Sequence, residues 1–452
     1  GAYTDAYQRA QNLINGTPDV IINPADINTA TQNVNNAEQG LNGNTNLANA
    51  KQEATNALQQ MPGLSDAQRQ RIQDQIDQAQ QLPDIDTIKS NAGNLNHAMT
   101  ELRQEVAKQH DVQASQPYVD ANTSNQDDYN HAITNAESII NETTQPTLNP
   151  ESVMQALNQI KTSTQDLNGV ENLNQAKQTA TGALQHLSHL NQAQIDALTR
   201  QIDQAPDIAT TNKIKQNAES LDNAMNQLNQ ALQTKADTLG SINYSDADQP
   251  KKDAYNDAVT HAESIVDHNS QNNASQDDIA QALKQLNDAK DALNGNSNVE
   301  HAKQEAIEQI NNAQDLNPAQ QEALKQQVNL ANTVNDVNQV KATTSALDQA
   351  MSALKQGIAD KDQTIADGNY TNANPDKQQA YSDAIHHAEQ IINGTPNAIV
   401  DPQTVTNALQ QVDQTKGDLN GNDNLHDAQQ QASTMIDGCL LYTSPSPRDR
   451  QK

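Results

Sequence analysis

Large apolar side chains and cysteine are scarce in this sequence. It has no Phe or Trp, nine Tyr and one Cys, and 34% of its 452 residues are hydrophobic. A chain of this length would suit about three ordinary domains, but this composition argues against one large core and favours several small Ala/Leu/Ile cores. Because Cys439 is the only cysteine, no disulfide can form within the chain, and no Cys/His zinc pattern is present.

Basic residues are also few. The sequence has 27 Lys and Arg and 57 Asp and Glu, which gives a formal charge of -30. Such a chain would be repelled by phosphate, so nucleic acid and anionic membrane surfaces are not expected as partners. No apolar run approaches the roughly 20 residues that a membrane helix needs, so no membrane insertion is expected. The chain begins Gly1-Ala2 without Met or a signal-like segment, and we interpret it as an internal piece of a longer protein.

A gapless repeat of 126 residues organises the chain. The tyrosines that head the segments AYTDAYQRAQ, DYNHAITNAE, AYNDAVTHAE and AYSDAIHHAE recur at this interval, and Leu-Asn-Gly and a set of methionines keep the same frame. The recurring positions are Tyr3, Tyr129, Tyr255 and Tyr381; Gly43, Gly169, Gly295 and Gly421; and Met99, Met225 and Met351. The frame runs through Asp437, which amounts to about three and a half copies.

The last 15 residues, GCLLYTSPSPRDRQK, leave this frame. Residues 438–452 match nothing at the corresponding positions 312–326, and they end in a basic, Pro/Ser/Arg-rich stretch. We interpret this tail as vector- or adaptor-derived sequence and exclude it from the fold. A native tail is the alternative.

Apolar residues within a copy follow the helical period and predict five helices. The first is carried by Tyr255, Ala258, Val259, Ala262 and Ile265, and the second ends at Asn294-Gly295 as a C-terminal cap. The third runs from about residue 172 to 187. The fourth begins after Ser65, Asn191 or Asn317, and the fifth, the longest, carries the stripe Ile214, Ala218, Leu221, Met225, Leu228 and Leu232.

Several helix starts have capping signals. Asn23-Pro24, Asn149-Pro150 and Asp401-Pro402 combine an N-cap with Pro in the first turn. Ser65 with Gln68, and Asn317 with Gln320, predict capping boxes.

No segment alternates with period two, so we predict an all-α fold. Tandem 126-residue repeats would each form two small three-helix bundles, either separate or sharing the third helix, joined in an elongated, monomeric rod. The polar stretch 110–125 between copies is the expected hinge. The Leu/Met stripe of the fifth helix is best explained as bundle core.

Two module families match these patterns. The series Leu47, Ala50, Lys51, Ala54, Leu58, Ser65, Ile72, Ile76 and Ile85 resembles the GA module, a three-helix bundle, and the segment with Tyr3, Ile14, Asn23-Pro24 and Leu41-Asn42-Gly43 resembles the FIVAR domain. The expected boundaries are FIVAR-like helices over 1–45, linker plus FIVAR-like helices over 110–171, 236–297 and 362–423, and GA-like bundles over 46–109, 172–235, 298–361 and, truncated, 424–437.

Alternation of these units is similar to the family of giant matrix-binding repeat proteins of staphylococcal cell surfaces. The resemblance implies a non-enzymatic, cell-wall-attached adhesin that binds fibronectin or another extracellular matrix protein through weak multivalent contacts. Albumin-binding GA modules tend to carry aromatic residues near the start of the second helix, whereas these copies have SDAQRQRI, NQAQIDAL and NPAQQEAL. That departure argues against albumin as a partner. A serum-protein or cell-wall-glycan module array, and an intracellular helical scaffold, remain alternatives.

Candidate chemical groups do not assemble into a site. His186 and His189 could ligate a metal at helical spacing, but their counterparts in the other copies are not ligands, and a solvated helix end is the simpler reading. The pairs Asp127-Asp128 and Asp277-Asp278 fit the first turn of a helix. Asp246 and Asp248 lack the remainder of an EF-hand loop. We therefore predict no catalytic, cofactor or metal residues, no cofactor and no enzymatic activity; ligand-binding residues stay unknown.

Tyr118, Tyr244 and Tyr370 are the large side chains of the polar stretches between copies. They suit either a contact that holds one copy onto the next or a contact with a ligand. We favour the contact within the chain.

Overall fold

The computed structural model describes residues 1–443, and this part of the chain is helical without strands. The predicted all-α class is confirmed. Of the predicted non-native tail, residues 438–443 continue the last helix, and residues 444–452 lie outside the described residues.

Helices follow the repeat frame, with two short helices added between the fifth helix of one copy and the first helix of the next. The first copy holds α1 (Ala2–Ile14), α2 (Pro24–Gln39), α3 (Gly43–Gln59), α4 (Asp66–Gln78), α5 (Leu82–Ala107), α6 (Gln109–Ala114) and α7 (Gln116–Val119). The second holds α8 (Thr123–Asn141), α9 (Pro150–Gln165), α10 (Gly169–Leu184), α11 (Gln192–Gln204), α12 (Ile208–Leu232), α13 (Lys235–Leu239) and α14 (Ile242–Ser245).

The third copy holds α15 (Gln249–Val266), α16 (Gln276–Asp291), α17 (Gly295–Asn312), α18 (Pro318–Leu330), α19 (Val334–Gly357), α20 (Lys361–Ala366) and α21 (Gly368–Thr371). The partial fourth copy holds α22 (Pro375–Asn393), α23 (Pro402–Gly417) and α24 (Gly421–Thr443). The chain divides into two compact units, one of residues 1–188 and 196–219, the other of residues 189–195 and from 220 onward.

In the first unit, the long helix α5 belongs to two three-helix bundles. It packs on α3 and α4 in the GA-like bundle, and on α8 and α9 in the FIVAR-like bundle. One continuous core runs from Ala54 to Leu167, and Met99 and Leu102 in the C-terminal half of α5 are fully buried in it. The bundles therefore share a helix, but it is the fifth of the copy and not the third. The core continues across the boundary expected between residues 109 and 110.

The second unit repeats this arrangement around α19. This helix packs on α17 and α18 and also on α22 and α23, and the core extends from Ala302 to Leu419. Met351 and Leu354 occupy the positions of the buried Met99 and Leu102 and are themselves fully buried. The Leu/Met stripe is therefore the core of both bundles, as predicted.

Among residues 1–443, no third helix packs on the N-terminal pair α1 and α2, and neither helix has a buried residue. Ile27 is 46% exposed, whereas Val153, Ile279 and Val405, one, two and three repeats later, are 0%, 1% and 0% exposed. Two helices of this length cannot enclose a core alone, so the same position is buried only where a fifth helix covers it.

The capping predictions are confirmed. Asn23, Asn149 and Asp401 accept hydrogen bonds from backbone amides of their first turns, and Ser65/Gln68 and Asn317/Gln320 form capping boxes. All five apolar residues predicted for the first helix of the third copy are buried in α15.

Two predicted helix ends are wrong. The second helix ends at Asp291, and Gly295 is not its C-cap but the first residue of α17; likewise the third helix begins at Gly169 rather than near residue 172. The sequence pattern missed this because polar residues follow Gly295 in the first turn of α17, and because Val170, in the first turn of α10, is 52% exposed. Asp127 and Asp128 lie beyond the first turn of α8, which begins at Thr123, while Asp277 and Asp278 do lie in the first turn of α16.

The polar stretch 110–125, predicted as a hinge, is folded instead into α6, α7 and the start of α8. Val112 and Tyr118 are partly buried against the core. A polar sequence forms structure here because Val112 and Tyr118 pack on the core, although Val119 is 48% exposed, and because its backbone pairs within the short helices. In the described part of the chain, no helix combines the length and apolar character needed to cross a lipid bilayer.

The shared helix predicts which 126-residue window folds as a unit. Residues 43–168 contain a complete GA-like bundle, the whole fifth helix α5 and both helices of the FIVAR-like bundle. Residues 1–126 contain α1 and α2, which do not pack on α5, and they lack α9 and most of α8, on which α5 packs. We expect residues 43–168 to unfold in one cooperative transition at a higher temperature than residues 1–126, measured by circular dichroism. Residues 110–171, which lack the fifth helix, should be largely unfolded.

Equal melting temperatures for the two windows of identical length would contradict the shared core, and so would a folded, cooperative 110–171 fragment.

Candidate functional site

Paired tyrosines mark the start of each FIVAR-like bundle. Tyr118 of α7 packs edge-on against Tyr129 of α8, with ring centroids 6.0 Å apart and an interplanar angle of 71°. The Asn130 side chain donates to the Tyr118 hydroxyl at 3.0 Å. The same edge-on pairs recur as Tyr244 with Tyr255 and Tyr370 with Tyr381. Tyr118, Tyr244 and Tyr370 therefore hold the short helices onto the following copy. This is the contact within the chain that the sequence favoured.

The inner tyrosine of the pair, Tyr129, is fully buried without a hydrogen bond to its hydroxyl group in the described part of the chain. Burial, with smaller effects from Glu105 and Tyr118, raises the pKa of Tyr129 to about 12. The side chain is thus a neutral apolar wedge under physiological conditions and not an acid or a nucleophile.

Glycine is required where the third helix of a copy meets the short helix before it. A Cβ on Gly295 would lie 2.2 Å from the carbonyl oxygen of Ile242, and one on Gly169 would lie 2.4 Å from that of Pro117. Gly421 has the same close approach to Asn369. In three of its four occurrences, at Gly169, Gly295 and Gly421, the Leu-Asn-Gly motif therefore marks a joint where two backbones touch, and not the helix cap that the sequence indicated.

A carboxylate from the same joint caps the next fifth helix. Both oxygens of Asp120 accept from the backbone amide of Ile208, the first residue of α12, at 3.1 and 3.0 Å, and Asp246 accepts from Val334, the first residue of α19, at 2.8 Å. Negative charge is favoured at a helix N-terminus, where amides lack intrahelical partners. The Asp246 carboxylate thus caps a helix that begins 88 residues later in the sequence.

Asparagine amides complete the joint. Asn172, Asn298 and Asn424 each donate to the backbone carbonyl of the residue at the end of the short helix, at 2.8–2.9 Å. Asn294 and Asn298 also donate to the Asp248 carboxylate, and these hydrogen bonds lower the pKa of Asp248. The joint is therefore a hydrogen-bonded structure in which the carboxylates have structural partners.

Buried amides also tie the GA-like and FIVAR-like bundles together. Gln68, Gln194 and Gln320 are fully buried and donate to loop carbonyls of Thr147, Ala274 and Ile399 at 2.8, 3.0 and 2.7 Å. Asn317 donates to the carbonyls of Ile391 and Ile392 in the last turn of α22. The sequence revealed the capping boxes but not these long-range bonds, since nothing local marks their acceptors.

The histidines singled out by spacing do not converge. His189 Nδ1 lies 3.0 Å from Asp222 Oδ2, and its backbone amide donates to the other oxygen of Asp222. His186 is exposed and follows the end of α10. Among residues 1–443, no three His, Cys, Asp or Glu side chains are placed to hold a metal ion. His189 therefore fixes a turn of the GA-like bundle.

An open groove lies between the two FIVAR-like helices. Between α8 and α9 it measures about 600 Å³ and is lined mainly by polar side chains, including Asp128, His131, Asn135 and Gln155. Between α1 and α2 a groove of about 540 Å³ occupies the same repeat positions, with Asp5, Arg9 and Thr29 in place of His131, Asn135 and Gln155. The geometry recurs while the polar groups differ, which suits a contact surface better than a reaction centre.

The GA-like second helices have a different surface. α4, α11 and α18 contain no aromatic residue, and α18 is built from Gln, Ala, Leu, Lys, Val, Asn, Glu and Pro alone. These helices therefore offer no aromatic anchor at the position where albumin-binding modules tend to carry one.

Comparison with known families identifies both kinds of module. The FIVAR domain matches residues 1–42, 98–168, 224–294 and 350–420, more than half of the chain, and the GA module matches residues 44–98, 170–224 and 296–350. The two matches meet at residues 98, 224 and 350, within the long helices α5, α12 and α19.

Relatives with the same modules come from Staphylococcus aureus. The extracellular matrix-binding protein EbhA of strain Newman is 53% identical over 436 residues, which cover 96% of this chain and 13% of that protein. The extracellular matrix-binding protein ebh of strain MW2 is also 53% identical, with 4% of its length covered. A crystal structure of an EbhA domain is 36% identical, covers 54% of this chain and 98% of that one, and superposes with a TM-score of 0.51.

The buried tyrosine generates a prediction about alkaline pH. Because burial raises the pKa of Tyr129 from its ordinary value of 10.0 to about 12, its contribution to stability is fully present below pH 10 and is lost as pH rises toward 12. In residues 43–168, whose only tyrosines are Tyr118 and Tyr129, the Tyr118→Phe variant should show ionisation at 295 nm only near pH 12. Tyr129→Phe should keep neutral-pH stability within about 1 kcal/mol, since no hydrogen bond is lost. Ionisation of Tyr129 near pH 10 would contradict its burial.

The glycine joint generates a matched pair of variants. Gly295→Ala should destabilise the joint by about 1–3 kcal/mol, because the added methyl group overlaps a backbone carbonyl. Gly43→Ala, at the same repeat position but with nothing within 4 Å of its Cβ position, should be neutral or slightly stabilising. Hydrogen exchange measured by mass spectrometry on peptides covering residues 242–248 should accelerate for Gly295→Ala alone.

Proposed function

Since this chain belongs to the family of tandem FIVAR-domain and GA-module repeat proteins, we propose that it is a non-enzymatic adhesin segment that binds host extracellular matrix through many weak contacts. The chain spans 13% or less of the length of the two S. aureus relatives named above, so this proposal concerns the repeat segment. We place it on the bacterial cell surface, attached to the cell wall, on the strength of the family.

The recurrence of the FIVAR groove at one-repeat intervals carries the proposal. A surface formed by α1 and α2 is formed again by α8 and α9, and the helices α15/α16 and α22/α23 pair in the same way. A groove of the same geometry, with some of its polar side chains changed, is therefore presented to a ligand again 126 residues later. Weak sites on one chain gain avidity when several engage the same ligand, by up to about 10²–10⁴ over one site.

The surface favours an extended, polar ligand over a small apolar one. The grooves are open, and their linings mix carboxylates, amides and an occasional His or Arg without a deep apolar pocket. Small-molecule sites are typically enclosed and mostly apolar. With a net charge of -30, the chain should attract basic regions of a matrix protein, and we propose fibronectin as the first partner to test.

Stepwise addition of copies tests multivalent binding. Residues 43–168, 43–294 and 43–420 contain one, two and three GA-plus-FIVAR units, and each begins at a third helix. Over immobilised fibronectin, surface plasmon resonance should give little binding for one unit and an apparent affinity that rises at least tenfold with each added unit. Binding should weaken as salt is raised from 50 to 500 mM, since the attraction is electrostatic.

Albumin and soluble cell-wall glycan serve as comparison ligands on the same three chains. Saturable micromolar binding of one unit to either of them would favour a dedicated serum-protein or glycan module over the adhesin. Equal fibronectin affinity for one and three units would contradict the multivalent mechanism.

A further inference from the structure

The Leu-Asn-Gly motif contains a chemically labile Asn-Gly pair. In such a pair the backbone nitrogen of Gly attacks Cγ of Asn, the bond from Cγ to Nδ2 breaks, and ammonia leaves. Water then opens the resulting succinimide to aspartate or isoaspartate, and for this reason Asn is a thermolabile residue. The reaction requires the Asn side chain to turn toward the nitrogen that follows it. The motif places Asn-Gly pairs at Asn42, Asn168, Asn294 and Asn420.

The joints hold three of these asparagines away from that reaction. The Oδ1 atoms of Asn168, Asn294 and Asn420 accept hydrogen bonds from the backbone amides of Asn122, Asp248 and Asn374 at 2.9, 3.0 and 3.0 Å. The glycine that follows each of these asparagines is buried. Attack at these sites therefore requires the joint to open first, because the side chain must leave its hydrogen bond before it can rotate.

Asn42 is a matched site without a joint in the described part of the chain. Asn42 and Asn294 share the sequence Leu-Asn-Gly-Asn, and their backbone angles are similar, with φ -114° and ψ 15° for Asn42 and φ -122° and ψ 20° for Asn294. Asn42 and Gly43 are exposed, and nothing lies within 4 Å of a Cβ position built on Gly43. The two sites therefore differ in the presence of the joint, and not in local sequence or backbone conformation.

The joint at Asn294 differs from the other two because a carboxylate faces the asparagine. Asn294 Nδ2 donates to Asp248 Oδ2 at 2.8 Å. Hydrogen bonds from Asn294 and Asn298 lower the pKa of Asp248, so this group is ionised at neutral pH. The neutral residues Asn122 and Asn374 stand at the position of Asp248 in the other joints. Deamidation of Asn294 would remove a donor and place a second carboxylate against Asp248, and like charges at such a distance repel.

We propose that Asn294-Gly295 is a modification site at which deamidation locks the joint open. The site is protected while α14 and α17 are in contact. Once the joint opens, deamidation replaces the Asn294 amide with a carboxylate, and repulsion by Asp248 opposes reclosure. The same reaction at Asn168 or Asn420 leaves the joint able to close, because the facing residue is neutral. The Asn294 joint thereby converts a reversible opening into a permanent change, independently of the ligand proposed above.

Peptide mapping of the full chain by mass spectrometry tests the protection. During incubation at mildly alkaline pH, deamidation in the folded chain should be at least about tenfold slower at Asn294 than at Asn42, since it requires local opening of the joint. In concentrated urea the two rates should become equal, because the flanking sequences are the same. Equal rates in the folded chain would overturn the proposal, and so would a difference that persists in urea.

Variants that mimic the product test the lock. In the full chain, Asn294→Asp should accelerate hydrogen exchange several-fold in peptides covering residues 242–248. Asn168→Asp is the matched change in a joint whose facing residue is neutral. It should leave the exchange of residues 116–122 unchanged, because the Asn122 backbone amide and Asn172 Nδ2 still have an oxygen to which they donate.

A double variant separates charge repulsion from loss of the amide. Adding Asp248→Asn to Asn294→Asp gives position 248 the residue type of Asn122 and Asn374, and should return the exchange of residues 242–248 to the rate of the original chain. Fast exchange that persists in the double variant would overturn the lock. An Asn294→Asp variant that exchanges like the original chain would also overturn it.

Discussion

The burial of one long helix in two successive cores is the constraint on which the rest of this structure depends. In the first unit, α5 packs on α3 and α4 of the GA-like bundle and on α8 and α9 of the FIVAR-like bundle, and its Met99 and Leu102 are fully buried in one continuous core. A FIVAR helix pair does not enclose a core without a fifth helix, as the absence of buried residues from α1 and α2 demonstrates. Two modules that appear separate in the sequence are therefore linked by a rigid element, and loss of the fifth helix would open both.

Buried polar groups give this arrangement its specificity. A chain with little aromatic surface has few large side chains to define how bundles pack, and apolar contacts between Ala, Leu and Ile tolerate rotation. The buried Gln and Asn amides of the capping boxes instead select particular carbonyl acceptors 74–80 residues away. A misplaced bundle would leave these groups unpaired, which is costly in a core. The acidic caps at the joints act similarly, since Asp120 and Asp246 reach helix ends in the following copy.

Such a construction suits a protein whose contacts are repeated and not concentrated in one site. Three of the titratable groups noted in the sequence have structural partners: Asp246 caps a helix, His189 pairs with Asp222, and Asp278 closes a capping box whose Ser275 hydrogen bonds lower its pKa. What remains open is the polar groove between the FIVAR helices. The chain thereby offers similar surfaces in series, with local differences such as His131 in one groove and Asp5 in another.

The sequence alone determined the helices, the 126-residue period and the capping residues, because these depend on local periodicity and on side chains within one turn of the groups they contact. Tyr255 to Ile265 are buried as their spacing predicted, and Asn317 with Gln320 caps α18 as predicted. Only the tertiary structure decided that the fifth helix is shared, that the polar interval folds into short helices, and that Gly295 marks a backbone contact and not a helix end. Each of these features depends on packing between separate helices, such as the approach of Gly295 to Ile242, and a local pattern carries no signal of how two separate segments meet.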